Sequence, residues 1–274
     1  MNRVTRGLIA SCRDPVIIGV GTIPAGRAIA PGGRLLSGTN ANQSSLLLDP
    51  RFAMPYRRTD NVARKLAARH DAILAAAGAL AGEGGMAAVQ IAPVAERAGI
   101  AAGTVYRYFP GKAELVAALG AALSEREITA IGDAADAAPG PLSALAAAIA
   151  TFGARALAQK RLAFAMMAEP VEPDIDAARV DYRRALAAVF ESRIRTAIER
   201  GHLPEQDAAA AAPALLGALI EGLIGPLAPQ PAGDPGAARA QVQAVTLFAL
   251  RALGVLDARA RGLVVQTVMP AAGA

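Results

Sequence analysis

The sequence predicts an all-α protein in which a short helix-turn-helix segment is followed by a larger bundle of helices. Hydrophobic residues make up 54% of the chain but aromatic residues only 4%, and much of the apolar fraction is alanine, which favours helices and lets them pack closely. Apolar residues recur at three- and four-residue spacing over long stretches, which is the helical period. Sustained strand patterns rich in Val, Ile and Thr are nearly absent, and breaks rich in Gly and Pro separate the helical stretches.

The net charge of +5 is unevenly distributed along the chain. Residues 51–112 carry nine Lys or Arg against four acidic residues, and residues 1–50 carry five Arg against two Asp. Residues 113–274 have fourteen basic and seventeen acidic residues. A basic N-terminal part on a mildly acidic body is typical of a nucleic-acid-binding module attached to a domain that does not bind nucleic acid.

Cysteine usage and hydropathy limit the cell compartments in which the protein is expected. Cys12 is the only cysteine, so an intramolecular disulfide is impossible and nothing indicates an oxidising compartment. Residues 8–12 follow Arg6 too closely to form the apolar region of a signal peptide. The longest apolar run, residues 208–225, is interrupted by Pro213, which favours a buried helix over a membrane span. We therefore expect a cytoplasmic, nucleoid-associated protein without a membrane partner.

The first 55 residues differ in composition from the rest of the chain. Gly, Pro, Ser and Asn are dense there, and no helical period lasts for more than a turn. We predict a disordered extension for residues 1–55, with Met54 as an alternative start of the native protein. The alternative interpretation is a basic arm that touches DNA phosphates.

The most informative stretch is residues 90–112, QIAPVAERAGIAAGTVYRYFPGK, which follows a helix that begins near Asp60. Pro93 fits only the first turn of a helix, where its missing N–H costs no helical hydrogen bond. Ala95 is small where two helices must cross, and Gly99 supplies a left-handed turn at no steric cost. This is the layout of a helix-turn-helix whose second helix enters the DNA major groove.

Several segments of this region resemble the DNA-binding domain of tetracycline-repressor-like (TetR-family) transcriptional regulators. They are Gly85–Met86, the helix ending VAERAGI and the run GTVYRYFPGKAEL, together with the preceding pattern of Ile73, Leu74, Ala76, Ala77 and Leu80. The resemblance covers roughly residues 60–118, and its specific part is GTVYRYFPGK. The later part of the chain resembles the family only in helical layout.

The resemblance implies that residues 101–109 form the recognition helix, with DNA contacts from Thr104, Tyr106, Arg107, Tyr108 and Lys112. The chemistry agrees, since Arg bonds guanine O6 and N7 bidentately and Thr approaches a thymine methyl group or a phosphate. Packing of its ring is an equally good interpretation of Tyr106. The chain has Ala101-Ala102 where the family often has Ser followed by Lys or Arg, and Gln90 where a Ser or Thr cap is usual. These departures affect the expected operator sequence and affinity.

We expect a helix-turn-helix DNA-binding domain over residues 56–118 and a helical ligand-binding and dimerisation domain over residues 119–274. A linking helix is predicted from Ala113 to Ile131, followed by a loop at 133–141. Further helices are expected at about 142–159, 160–169, 174–200, 206–228 and 235–254, with breaks at Gly and Pro clusters.

Aromatic and methionine side chains of the bundle are candidates for lining an apolar effector pocket, because such side chains adapt to varied ligands. The candidates are Phe152, Phe164, Met167, Tyr182 and Phe190. The alternative, which is favoured for each residue taken singly, is that they fill the core.

The last two long helices are candidates for the dimer interface. The apolar residues that face each other there are Leu215, Leu216, Leu219, Ile220, Leu223 and Ile224 of the first helix and Val242, Val245, Leu247, Phe248 and Leu250 of the second. The resemblance implies an intersubunit four-helix bundle there.

The sequence therefore predicts a homodimeric repressor that a small apolar effector releases from a palindromic DNA operator. The alternative is a helical ligand-binding or scaffold dimer that has lost DNA binding. An enzyme is not expected, because two His and one Cys form no metal-ligand cluster or nucleophilic pair, and no phosphate-binding glycine loop follows a strand. No cofactor or metal is expected. The sequence does not indicate the effector, the operator or the regulated genes, nor whether binding represses or activates.

Overall fold

The protein is described by a computed structural model for residues 55–229 and 235–269, and every regular element in these ranges is an α-helix. The helices are α1 (Pro55–Gly84), α2 (Ile91–Arg97), α3 (Ala102–Tyr108), α4 (Lys112–Asp136), α5 (Pro141–Ala158), α6 (Lys160–Met167), α7 (Pro173–Glu199), α8 (Ala208–Leu223), α9 (Pro235–Ala252) and α10 (Asp257–Gln266). The all-α prediction is confirmed. The extension predicted for residues 1–55 lies outside the described residues, apart from its last position.

Helices α1 to α3 form the helix-turn-helix around a small core. Ile73 of α1, Val94 of α2 and Val105 of α3 are completely buried, and Phe109 closes the core from the end of α3. Gly99 adopts φ +67, the left-handed conformation that glycine reaches without strain. These contacts set the angle between the two short helices.

The bundle is built around α5. Twelve of its eighteen residues are buried, and many are alanines that let α4, α7 and α9 approach closely. By length and composition alone this helix could cross a membrane, but 67% of it is buried within the protein, as also happens in the core helix of a soluble protein. No other helix of 18 residues or more in the described part of the chain has the composition of a membrane span.

The structure extends the sequence-based helix bounds in three places. Helix α1 begins at Pro55, and α4 continues through residues expected to form a loop, to Asp136. The predictions stop at residue 254, whereas α10 follows at Asp257–Gln266. Only Ala260 and Val264 of α10 are buried, so its apolar stripe is too thin to be recognised as a helical pattern. Packing against α9 and α5 stabilises it instead.

The surface predicted for dimerisation is largely occupied within the chain itself. Leu215, Leu219 and Leu223 of α8 and Val242 of α9 are buried against neighbouring helices. The exposed side of this helix pair is made of smaller residues, with Phe248 as a large apolar side chain that is 58% exposed. The leucines therefore stabilise the fold of a single chain.

Candidate nucleic-acid interface

The exposed surface of α3 is the candidate DNA-reading surface. Val105 points into the core and is completely buried, whereas Tyr106 is 54% exposed and Arg107 is also exposed. Thr104 is half-buried near the start of the helix. This exposure favours a DNA contact over packing as the interpretation of Tyr106, because a ring packed in the core would be buried.

Tyr108 connects α3 to α1. Its hydroxyl donates a hydrogen bond to the carbonyl oxygen of Leu66 at 3.4 Å, and its ring lies 6.4 Å from the rings of both His70 and Phe109. These contacts hold the end of α3 against α1. Tyr108 is half-buried, so part of its side chain remains accessible to solvent.

Both short helices begin without a side-chain cap. Gln90 precedes α2 and Ala101 precedes α3, and neither side chain accepts a hydrogen bond from the first turn. A capping Ser, Thr, Asp or Asn typically contributes about 0.5–2 kcal/mol. The uncapped N–H groups of α3 leave its first turn dependent on packing or on a bound partner.

The position of α2 is fixed by an ion pair that the sequence pattern does not reveal, because fourteen residues separate its members. Arg97 at the end of α2 donates to both carboxylate oxygens of Glu83 at 2.8 and 2.7 Å. The hydrogen bond from Arg97 holds the pKa of the Glu83 carboxyl below its usual value. Both side chains are exposed, so the pair orients α2 more than it stabilises the fold.

Lys112 begins α4 and is half-buried. It lines a cleft of about 580 Å³ together with Met86, Gln90 and two glutamates of the α6–α7 connection, Glu169 and Glu172. The structure thus places Lys112 between the helix-turn-helix and the bundle, apart from the exposed face of α3.

Three of the five predicted pocket residues lie around one small cavity of the bundle. Phe152, Met167 and Tyr182 line this cavity, whose volume is about 40 Å³, and burial raises the pKa of the Tyr182 phenol. This volume is far below the roughly 300–1,000 Å³ of most small-molecule sites. The ring of Phe190 packs edge-on against Phe152 at 6.0 Å, and Phe164 is half-buried on α6, so both lie outside the cavity lining.

Two other clefts are much larger than this cavity. One of about 660 Å³ lies between α1, α4 and the α5–α6 corner, and another of about 550 Å³ lies between α4, α5 and the segment around α10. Clefts of roughly 300–1,000 Å³ are the usual size for small-molecule sites. In the ranges that the structure covers, no group of three or more His, Cys, Asp or Glu could hold a metal ion.

The fold and the exposed α3 define a helix-turn-helix protein with a helical C-terminal bundle. Residues 73–119 match the family model described as bacterial regulatory proteins, tetR family. The match is confined to the helix-turn-helix part of the chain and the start of α4, and it confirms the resemblance predicted from the sequence.

Curated relatives agree over the same part of the chain. It is 57% identical over 53 residues to the HTH-type transcriptional repressor KstR of Mycolicibacterium smegmatis, and 56% identical over 48 residues to KstR of Rhodococcus jostii. These matches cover 19% and 18% of this chain, and 26% and 23% of the two relatives. The chain thus matches only about a quarter of the length of these relatives.

Solved structures extend the likeness to the whole fold. RolR in complex with resorcinol matches with a TM-score of 0.56 at 22% identity, covering 77% of this chain and all of that chain. The fatty acid degradation regulator FadR from Bacillus halodurans matches with a TM-score of 0.57 at 19% identity, covering 69% of this chain and 97% of that chain. At these identities the comparison establishes the helical fold of the bundle.

Proposed function

We propose that this protein is a DNA-binding transcriptional repressor that responds to a small molecule. The observation that carries the proposal is the exposed surface of α3, which presents Tyr106 and Arg107 on a helix seated by Val105 in a tetR-family domain. Residues 56–118 then form the DNA-binding domain, and residues 119–274 bind the effector and the second subunit.

The DNA-contacting residues differ in role. Arg107 and Tyr106 reach base edges from the exposed face, and Thr104 approaches a thymine methyl group or a phosphate from the first turn. Tyr108 at the end of α3 and Lys112 at the start of α4 are half-buried, and their hydroxyl and ammonium groups suit contacts to the DNA backbone. Phosphate contacts position the protein on DNA, and the exposed residues of α3 supply the sequence preference.

A homodimer is the form in which this surface reads a palindrome, because one seven-residue helix contacts few base pairs. The exposed side of α8 and α9 is the proposed dimer surface. Pro213, Ala214 and Gly217 of α8 and Ala244 and Phe248 of α9 are exposed there. An added Cβ at Gly217 meets no atom within 4 Å, so the α8 surface is open for the close approach of a second helix.

The effector is proposed to be a small, largely apolar molecule bound in the bundle. The structural neighbours that carry ligands include RolR with resorcinol and FadR from Bacillus subtilis with stearoyl-CoA, the latter with a TM-score of 0.50 at 17% identity. In this chain the cavity beside Phe152, Met167 and Tyr182 would have to open to admit such a molecule, because its volume is only about 40 Å³.

Selection from random DNA duplexes, followed by titration of the selected operator at several salt concentrations, tests the proposal. We expect a palindromic preference and an affinity that falls linearly with salt on logarithmic axes. Arg107→Ala should weaken operator binding by about 1–3 kcal/mol and relax the preference at one base position. Arg200→Ala, which removes an exposed charge just after the end of α7, is the matched control.

The alternative function is a helical ligand-binding or scaffold dimer without DNA binding. The missing caps of α2 and α3 favour it, because an uncapped recognition helix is less stable before DNA is bound. Recovery of no preferred duplex, together with a flat salt dependence, would support this alternative over the repressor.

A further inference from the structure

A polar contact joins the helix-turn-helix to the bundle at the turn after α1. The side chain of Glu169, from the α6–α7 connection, accepts a hydrogen bond from the backbone N–H of Met86 at 3.0 Å. The guanidinium of Arg161 on α6 pairs with the two oxygens of the same carboxylate, each at 3.3 Å. Glu169 is therefore shared between the DNA-binding part and a cation of the bundle. We call this set of three residues the Glu169 latch.

The local backbone is shaped to fit the latch. Gly85 has φ +74, and a Cβ at this position would lie 1.9 Å from Nη2 of Arg161 and 2.6 Å from Oε1 of Glu169. Only glycine therefore lets the ion pair lie directly on the turn. The Glu169 side chain is 17% exposed and that of Arg161 is 40% exposed, so the cation remains accessible from solvent.

Arg161 also lines the cleft of about 660 Å³ between α1, α4 and α6. The apolar part of this lining includes Leu74, Leu119, Leu123 and Leu162. Its charged groups are three cations, Arg126, Lys160 and Arg161, against the single carboxylate of Asp71. An apolar floor with a positive rim is complementary to a molecule with a hydrocarbon body and one negative head.

From this arrangement we infer a binding site for an amphipathic carboxylate in the α1–α4–α6 cleft, whose head group competes with Glu169 for Arg161. The Arg161 guanidinium already binds one carboxylate by two nitrogens, the geometry in which arginine recognises carboxylates most strongly. A second carboxylate at the same guanidinium would repel Glu169 and weaken its hold on the Met86 N–H. Binding of the ligand thereby opens the latch.

The ligand site does not depend on the proposed function, whereas the effect of the ligand on DNA binding rests on it. Opening the latch releases the turn that leads into α2 and α3, so the ligand is expected to weaken operator binding. By linkage, operator DNA must weaken ligand binding by the same factor. The cleft differs from the aromatic cavity around Phe152 and Tyr182, although Leu123, Arg126, Gln159 and Leu162 line both.

Calorimetric titration with octanoate, with octan-1-ol as the neutral counterpart, tests the site on the intact protein without DNA. We expect one octanoate per chain and binding of the alcohol at least ~10-fold weaker, as befits a charged hydrogen-bonded contact. Equal binding of both molecules, or no octanoate binding, would overturn the inference. Because no DNA is present, this result is independent of whether the protein is a repressor.

Three variants locate the site. Gly82→Leu fills the cleft, and its Cβ would sit at an ordinary 3.8 Å from Cβ of Leu162, so we expect octanoate binding to be lost with the helical circular dichroism retained. Arg161→Gln should weaken binding several-fold, because Arg161 lines this cleft and not the aromatic cavity, whereas Arg200→Gln, just after the end of α7, should leave it unchanged. If Gly82→Leu fails to fold, Arg161→Gln decides. Full octanoate affinity in a folded Gly82→Leu or in Arg161→Gln would place the ligand elsewhere and refute the inference.

Competition between octanoate and Glu169 for Arg161 can be measured separately. Glu169→Gln retains an acceptor for the Met86 N–H but removes the competing charge, so octanoate should bind several-fold more tightly than to the native chain. Amide hydrogen exchange at Met86 should accelerate when octanoate saturates the native protein. Unchanged or weaker octanoate binding in Glu169→Gln, or an unchanged exchange rate at Met86, would show that the ligand does not open the latch.

Discussion

Helices α3 and α5 use their surfaces in opposite ways. Helix α3 buries one of its seven residues, whereas α5 buries twelve of eighteen. Under the proposed function α3 must leave its surface free for DNA, so it cannot gain much stability from its own packing. Its position depends instead on a few contacts at its edges, among them Tyr108 on Leu66 and the short core beneath Val105.

The bundle, in contrast, buries most of the surface of its central helix and even encloses a charged side chain. Arg179 of α7 is 2% exposed, and its guanidinium donates to the carbonyl oxygens of Ala165 and Glu169 and to the carboxylate of Asp176. These bonds hold the end of α6 and the start of the α6–α7 connection. Changes in the bundle core should therefore alter the stability of the whole chain. Changes to the exposed residues of α3 should leave stability nearly unchanged and, under the proposed function, alter DNA binding.

The largest expected effect tests the bundle. Phe190 is completely buried and packs edge-on against Phe152, so Phe190→Ala should lower the free energy of unfolding by about 3–5 kcal/mol. Urea denaturation followed by circular dichroism measures the change. The neighbouring Val189→Ala, at a half-buried site, should cost much less. Equal losses in the two variants would contradict the view that the bundle core dominates stability.

An intermediate effect is expected at the turn that joins the two regions. Gly85→Ala must place a Cβ at positive φ against Arg161 and Glu169, which should cost about 2–4 kcal/mol from backbone strain and overpacking together. Gly99→Ala has the same backbone problem at φ +67 but meets no atom within 4 Å, so only about 1–2 kcal/mol is expected. Thermal or urea unfolding compares the pair, and similar losses would remove the contribution of the contact.

The two regions also differ in how far the sequence predicts them. Gly99, Pro93 and Val105 act within a short segment, so their spacing, together with the family motif, predicted the turn and part of the core of the helix-turn-helix. The leucines of α8 show the same kind of apolar spacing, but spacing cannot distinguish a face buried within one chain from one buried between two chains. Here the packing of α7 and α9 against α8 makes it an internal face.

Contacts between residues far apart in the sequence were not predicted, for a related reason. Glu169 lies 83 residues from Met86, and Arg97 lies 14 residues from Glu83, so neither pairing follows from helical periodicity. For the DNA-contacting residues, the family motif predicted which positions lie on α3, and the structure adds which of them are exposed. Their contacts with DNA remain predictions.

The smallest effect concerns the ion pairs of Asp176 in the bundle. Hydrogen bonds from Arg183 and Arg179 hold the pKa of the Asp176 carboxyl below its usual value. Because the folded-state pKa is lowered, the pairs stabilise the fold above the ordinary carboxyl pKa of about 3.9 and lose that contribution as the pH falls through the folded value. At pH 7, Asp176→Asn should therefore lower the free energy of unfolding by about 1 kcal/mol, a modest loss because the carboxylate is 46% exposed and Arg179 keeps two carbonyl acceptors.

Urea midpoints measured from pH 7 to pH 3 check the sign as well as the size. The native chain and Asp176→Asn should begin to converge below about pH 4, where the carboxyl of the unfolded chain takes up a proton, and should meet once the pH falls below the lowered pKa of the folded state. Asp174→Asn, an exposed carboxylate in the same first turn of α7, controls for the favourable interaction of any negative charge with a helix N-terminus. A gap between the native chain and Asp176→Asn that stays constant down to pH 3, or one no larger than the Asp174→Asn gap at pH 7, would show that the guanidinium pairs do not set the acid stability of the bundle.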